Sequence, residues 1–227
     1  MERKFEEALQ ELKKLLLEMA ARVEENIRDA LLGVENGDIR LLEDVTRRDA
    51  AIDLAEIRID EHCLSLLALQ QPVARDLRFI TTALKIVKDI ERIGDMARNI
   101  AKHGIILLEA GMVTLPPDFR KIGAASQEML RKALDSFVGY DAAMARQVIL
   151  DDDTVDELHR KLIAETTKRM IDDPNKIEVL THLIAVGKFL ERIGDHSSNI
   201  AEMVVFMVEA KDIRHKQKIQ GLEVDKP

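Results

Sequence analysis

Tryptophan is absent from this 227-residue chain, tyrosine occurs once and phenylalanine six times, so aromatic residues make up only 3%. Proline (five) and glycine (ten) are also scarce. Leu, Ile, Ala, Glu, Lys and Arg fill the space instead, which is the composition of helices and not of sheets. Cysteine is limited to Cys63, which excludes an intramolecular disulfide and fits a reducing compartment. A basic excess is missing: 34 Lys and Arg against 42 Asp and Glu leave a net charge of −8, which argues against sequence-independent binding to nucleic acid. Long apolar runs are missing too. The longest, MVVFMV at 203–208, is too short to span a bilayer, and the opening MERKFEEALQ is charged where a signal peptide needs an apolar segment. The expectation is a cytoplasmic protein with no membrane insertion of its own, free to dock on a membrane protein. Also missing are a Gly-rich phosphate loop, GxSxG, CxxC and HExxH. A di-iron oxidase of the ferritin type needs Glu-x-x-His twice, and only Asp-x-x-His occurs, at 156–159 and 212–215.

What the chain does have is helical periodicity almost throughout. Ala83, Ile86, Val87, Ile90, Ile93, Ala97 and Ile100 recur at steps of three and four, as do Val186, Leu190, Ile193, Ile200 and Val204. Breaks at ENGD (35–38), QQPVARD (70–76), VTLPPD (113–118), VGYD (138–141) and IDDPNK (171–176) predict six helices. They cover about 3–35, 38–70, 74–110, 117–138, 141–171 and 175–214. Asp38, Asp118 and Asp141 suit N-caps, and Pro72 and Pro174 suit helix starts.

The same breaks expose a duplication. ERIGD occurs at 91–95 and again at 191–195, each followed by NIA at 99–101 and 199–201. Asp38 precedes Asp53 by 15 residues, and Asp141 precedes Asp156 by 15. EENIRDAL (24–31) aligns with QEMLRKAL (127–134) at an offset of 103, and from the third helix of each half the offset is 100. The expected fold is all-α, two tandem three-helix bundles: residues 1–112, residues 113–214 and a polar tail at 215–227.

Residues i and i+4 of a helix lie one above the other on nearly the same face. Glu91 and Asp95 therefore stack, as do Glu191 and Asp195. The second helix of each unit offers Asp49 with Asp53, and Asp152 with Asp156. Like charges at this spacing cost roughly a few tenths of a kcal/mol per pair. A plain solvated face would neutralise them one turn away, and this is not the pattern. Asp49 has Val45, Thr46, Ile52 and Asp53 at those positions; Asp53 has Asp49, Ala50, Glu56 and Ile57; Asp152 has Val148, Ile149, Val155 and Asp156. Only Asp156 finds a base, Arg160. On the third helix Lys88, Arg92 and Arg98 reach Glu91 or Asp95, but in the second copy Ser198 replaces Arg98 and Glu202 replaces Lys102. The carboxylates are kept between the copies and the neutralising pattern is not.

Four carboxylates converging from two helices call for a cation, and oxygen-only ligands select Mg²⁺, Mn²⁺, Ca²⁺ or Fe, with bridging carboxylates allowing more than one ion. Gly94 and Gly194 sit between the acids, each costing about 1 kcal/mol against Ala in a helix. Clearance for a metal and clearance for a crossing helix explain them equally well. Asn99 and Asn199 stand where they would orient the Asp one turn back. The outer half of the acidic stripe is not duplicated: Glu56 and Asp60 correspond to His159 and Ile163, so the two sites need not be identical. His159 stands near the second site, His196 points about 100° away from Asp195, and His62, His103, His182 and His215 show no metal spacing. Arg75 and Arg78 of PVARDLR read equally as helix-start residues and as a partner contact.

With its doubled ERIGD and NIA motifs on tandem three-helix units, and PVARDLR before the first, the chain resembles the PhoU family over roughly residues 5–210. That resemblance, not spacing, implies phosphate-specific transport accessory proteins that negatively regulate phosphate uptake and the starvation response. It implies multinuclear iron or zinc sites (manganese or magnesium are also considered), frequent homodimers, and a cytoplasmic adaptor working with the ATPase of a phosphate ABC transporter and a sensor histidine kinase. The metal residues it carries over are Asp49, Asp53, Glu91, Asp95, Asp152, Asp156, Glu191 and Asp195. The expected function is non-enzymatic; a carboxylate-bridged di-metal enzyme and a metal-free helical interaction module are the alternatives.

Overall fold

The computed structural model describes residues 2–111 and 114–213. Helix α1 spans Glu2–Asn36, α2 Ile39–Arg48, α3 Ala50–Gln70, α4 Ala74–Glu109, α5 Pro117–Gly139, α6 Ala142–Asp172 and α7 Ile177–Glu209, with a single 3₁₀ turn at Pro174–Lys176 before the last. The expected division at 112/113 and the expected polar tail lie outside the described residues. Among the described residues there is no strand.

Two of the expected caps form as their chemistry dictates. Asp38 accepts from the backbone N–H of Leu41, and Asp141 from Ala143 and Met144, which satisfies donors that a helix start otherwise leaves unpaired. Asp118 is corrected: α5 begins at Pro117 with Pro116 as N-cap, so Asp118 sits in the first turn. Pro72 lies just before α4, which starts at Ala74, while Pro174 opens the 3₁₀ turn. A larger correction concerns the second helix, expected as one piece over 38–70. It is interrupted at Asp49, whose carbonyl is shared by the N–H groups of Ile52 (2.8 Å) and Asp53 (3.3 Å). That shared bond is a local 3₁₀ tightening inside a backbone that stays right-handed helical (φ −57°, ψ −41°). Its counterpart in the second unit, α6, runs through Asp152 without a break.

α1, α2 and α3 pack on α4, and α5 and α6 pack on α7, giving two three-layer bundles. The bundles join along α4 and α7, which lie antiparallel. His196 meets Asp89 and His182 meets His103, so one residue number falls as the other rises. Each of these two helices must bury a face against its own bundle and another against the neighbouring unit. Their buried positions are accordingly wider than one stripe: Ile86 with Val87, Met96 with Ala97 and Ile100 with Ala101 in α4, and Met203, Val204 and Val205 in α7. Phe79 of α4 stacks on Phe137 of α5 with ring centroids 5.3 Å apart, and Arg78 Nε donates to the Met207 carbonyl at 3.1 Å. The two bundles thus share one continuous core.

Candidate functional site

Residue for residue, the packing of α2/α3 on α4 and of α6 on α7 faces the expected carboxylates toward one another. In the first unit Asp49 feels the charges of Asp53 and Asp95, and Glu91 those of Asp95, Glu56 and Asp53. In the second, Asp152 feels Asp195, Asp156 and Glu191 together. The eight predicted residues therefore form two clusters of four. Among the described residues no three His, Cys, Asp or Glu donors converge closely enough to hold a metal ion as the side chains stand.

The first cluster contains its own cation. Arg98 of α4 donates to Asp49 across the helix pair and, through Nη2, ion-pairs with Asp95 at 2.6 Å. Sequence spacing missed the Asp49 contact because the two residues are 49 apart and belong to different helices. Asp49 is only 3% exposed. Burial pushes its carboxyl above the usual range, and Arg98 pulls it part of the way back. Burial likewise works against the Arg98 charge, but Asp49 and Asp95 more than restore it. Arg92 stands 3.6 Å from Glu91 and 3.5 Å from Asp95. Lys88 lies 3.9 Å from Glu56 and makes no ion pair with the ERIGD acids among the described residues.

The second cluster has, among the described residues, no cation bridging its two helices. Lys188 Nζ lies 2.6 Å from both oxygens of Glu191, yet neither Asp152, Asp156 nor Asp195 ion-pairs with a basic side chain among the described residues. Burial, followed by repulsion from Asp195, Asp156 and Glu191, raises Asp152 to about 6. Burial and then Glu191 raise Asp195. His159 stands in the field of Glu191, Asp156 and Asp195, but burial dominates and holds its pKa below the usual value. Its buried Nε2 has no hydrogen-bond partner, and neither has the hydroxyl of Ser198, which occupies the place of Arg98. Asp152 and Asp195 open onto a polar cavity of about 540 Å³ that is also walled by Arg192, Ser198 and Glu202 among others.

The two ERIGD glycines differ in the same way. A Cβ on Gly94 would lie 3.1 and 3.2 Å from two carbons of Ile52, so this glycine admits a crossing helix. A Cβ on Gly194 would lie 3.2 Å from Asp152 Oδ1 and 3.3 Å from Val155, so that glycine clears a cluster carboxylate as well. Asn199 does not orient Asp195: its amide reaches Asp89 Oδ1 at 3.4 Å, beside His196, whose Nδ1 lies 2.8 Å from the same oxygen. The 2.8 Å contact between His103 and His182 Nδ1 atoms was not legible from spacing, since the two sit in different units.

Two helical bundles with matching carboxylate clusters define a duplicated all-α protein, and comparison with known proteins agrees. The family model for the PhoU domain matches twice, over residues 16–103 and 119–204. The phosphate-specific transport system accessory protein PhoU homolog of Pseudomonas aeruginosa is 38% identical over 212 residues, covering 93% of this chain and 88% of its own. The Aquifex aeolicus homolog of the same name is 36% identical over 208 residues, covering 92% and 94%. Among solved structures, PhoU from Pseudomonas aeruginosa superposes with a TM-score of 0.86 at 37% identity, covering 91% of this chain and all of that one. The phosphate transport system regulatory protein PhoU from Streptococcus pneumoniae gives 0.85 at 29% identity, covering 92% and 99%. This chain belongs to the PhoU family, whose members are accessory regulatory proteins rather than enzymes.

Proposed function

We propose that this protein is a cytoplasmic accessory regulator of phosphate transport whose acidic helical surfaces take metal ions. It restrains phosphate uptake and the starvation response, acting as a homodimer with the ATPase of a phosphate ABC transporter and a sensor histidine kinase. The transport role follows the names of the relatives. No helix among the described residues is long and apolar enough to cross a membrane, so contact with a transporter runs through its partner's surface.

The observation that carries the metal reading is the unequal treatment of charge between the copies. Asp49, Asp53, Glu91 and Asp95 recur as Asp152, Asp156, Glu191 and Asp195, while Arg98 and Lys102 do not recur. Four carboxylates crowded around one lysine contact among the described residues, that of Lys188 to Glu191, carry a repulsion that a hard cation relieves. The donor chemistry of the second cluster suits iron, zinc, manganese or magnesium, with Asp152, Asp156, Glu191 and Asp195 as the ligands and the Gly194 clearance leaving the Asp152 carboxylate room. Closure around an ion requires these side chains to move together. A bound cation neutralises the cluster and holds the two helices in one arrangement, presenting a defined surface to partners.

A metal-free helical module is the second reading, favoured by the Arg98 bridge, which neutralises one cluster with no ion at all. Elemental analysis of protein purified without chelator, alongside a phosphate-starvation reporter in a deletion strain, separates the two. Co-purifying metal together with a derepressed reporter supports the regulator that binds ions. A derepressed reporter with no metal bound, at any loading, leaves the metal-free module.

A further inference from the structure

The two clusters differ most at the residue three places after the ERIGD aspartate. In the first unit it is Arg98, whose guanidinium bridges Asp49 and Asp95, occupying the space between the two helices where their acids face one another. In the second it is Ser198, with a buried hydroxyl that has no partner. One turn further, Lys102 is replaced by Glu202, and the second cluster faces the 540 Å³ cavity that these residues wall. At the outer edge, Glu56 with Lys88 3.9 Å away is replaced by His159 with its orphaned Nε2.

Resting on the metal-binding reading above, we infer that residue 98/198 decides which cluster takes a cation. Arg98 is a built-in substitute that closes the first cluster to divalent ions. Ser198 leaves the second open, and Asp152, Asp156, Glu191 and Asp195 hold the ion there. A divalent ion entering the first cluster must displace a guanidinium held by two carboxylates, one of them buried, and strand its charge. In the second, no cation among the described residues bridges the two helices: the ion displaces at most the half-exposed Lys188 from Glu191 and relieves the mutual repulsion of four acids. The orphaned imidazole nitrogen of His159 adds a ligand type that suits transition metals better than magnesium.

Mn²⁺ is a suitable probe, titrated into the full chain while free ion is followed by electron paramagnetic resonance. Wild type should show one class of sites, abolished by Asp152→Asn and Asp195→Asn. Ser198→Arg should weaken Mn²⁺ binding by roughly tenfold or more, while Ser198→Ala leaves it unchanged. Arg98→Ser should add a second class of sites, and Arg98→Lys should not. Helical circular dichroism verifies each variant's fold, and should Arg98→Ser not fold, Ser198→Arg decides alone. Wild-type binding that stays within about threefold in Ser198→Arg, or binding that survives Asp152→Asn and Asp195→Asn, overturns the assignment while leaving metal binding intact. No binding by wild type or by Arg98→Ser removes the metal reading itself, and this inference with it.

Discussion

The two units carry the same four carboxylates, and among the described residues a cation bridges the two helices only in the first. Elsewhere the duplication treats charge differently. Arg48 pairs with Asp29 at 2.7 Å in the first unit, and the equivalent positions hold Asp151 and Lys132, paired at 2.8 Å with the signs exchanged. A pair whose work is to join two helices needs only opposite charges, so either sign serves at either place. At the clusters all four acids keep their positions and Lys88 and Arg92 recur as Lys188 and Arg192, but the bridging Arg98 does not recur. A charge whose sign survives duplication without its partner is answering to something outside the pair. The duplication thus separates charges that serve packing from charges that serve a site.

The largest expected effect of breaking this contrast is on stability. Arg98→Ala leaves the buried Asp49 without its partner and should cost about 2–3 kcal/mol in urea unfolding, whereas Ser198→Ala should stay within about 0.5 kcal/mol. Equal losses would erase the distinction between the units.

Next comes pH. Asp152 is raised from 3.8 to about 6, so its protonated form is favoured on folding. The stability this supplies is complete below pH 4 and is lost as pH rises through 6. Asp152→Asn should therefore raise the melting temperature at pH 7 and leave it nearly unchanged at pH 4, without metal. A gain of the same size at both pH values would contradict the assigned environment.

Smaller effects test the glycines. Gly94→Ala meets Ile52 at 3.1 Å and should destabilise by about 1 kcal/mol after the gain in helix propensity is counted. Adding Ile52→Val should recover part of that loss, because it removes the nearest carbon. Gly194→Ala meets the end of a carboxylate side chain first and should cost less stability. The smallest effect belongs to the exchanged pairs. Arg48→Asp should cost about 0.5–1 kcal/mol by facing Asp29 with a like charge, and Arg48→Asp combined with Asp29→Lys should return to within about 0.5 kcal/mol of wild type. Failure of the double variant would show that these positions are not interchangeable in sign.

Much of the architecture was readable because it is local. Periodicity located the helices, Asp38 and Asp141 capped two of them, and ERIGD marked the repeat. The break at Asp49 was not readable: a shared carbonyl bond leaves no trace in spacing when the backbone stays helical. Asn199 was misplaced for a related reason. Its i, i+4 relation to Asp195 is a property of one helix, but the α4–α7 contact offers it Asp89 instead. The His103–His182 contact and the Arg98–Asp49 bridge share that origin, since each joins residues on different helices.

By itself, then, the sequence determined an all-α duplicated chain and placed eight acids at matching positions, because helix geometry turns a four-residue spacing into a shared face. Tertiary structure decided what those acids meet. Packing α2 and α3 on α4 brought an arginine between Asp49 and Asp95. Packing α6 on α7 brought a serine and a polar cavity to the place of that arginine, with an unpartnered histidine nitrogen in the field of the same acids. Charge compensation depends on distances across helices, and those exist only once the helices are packed.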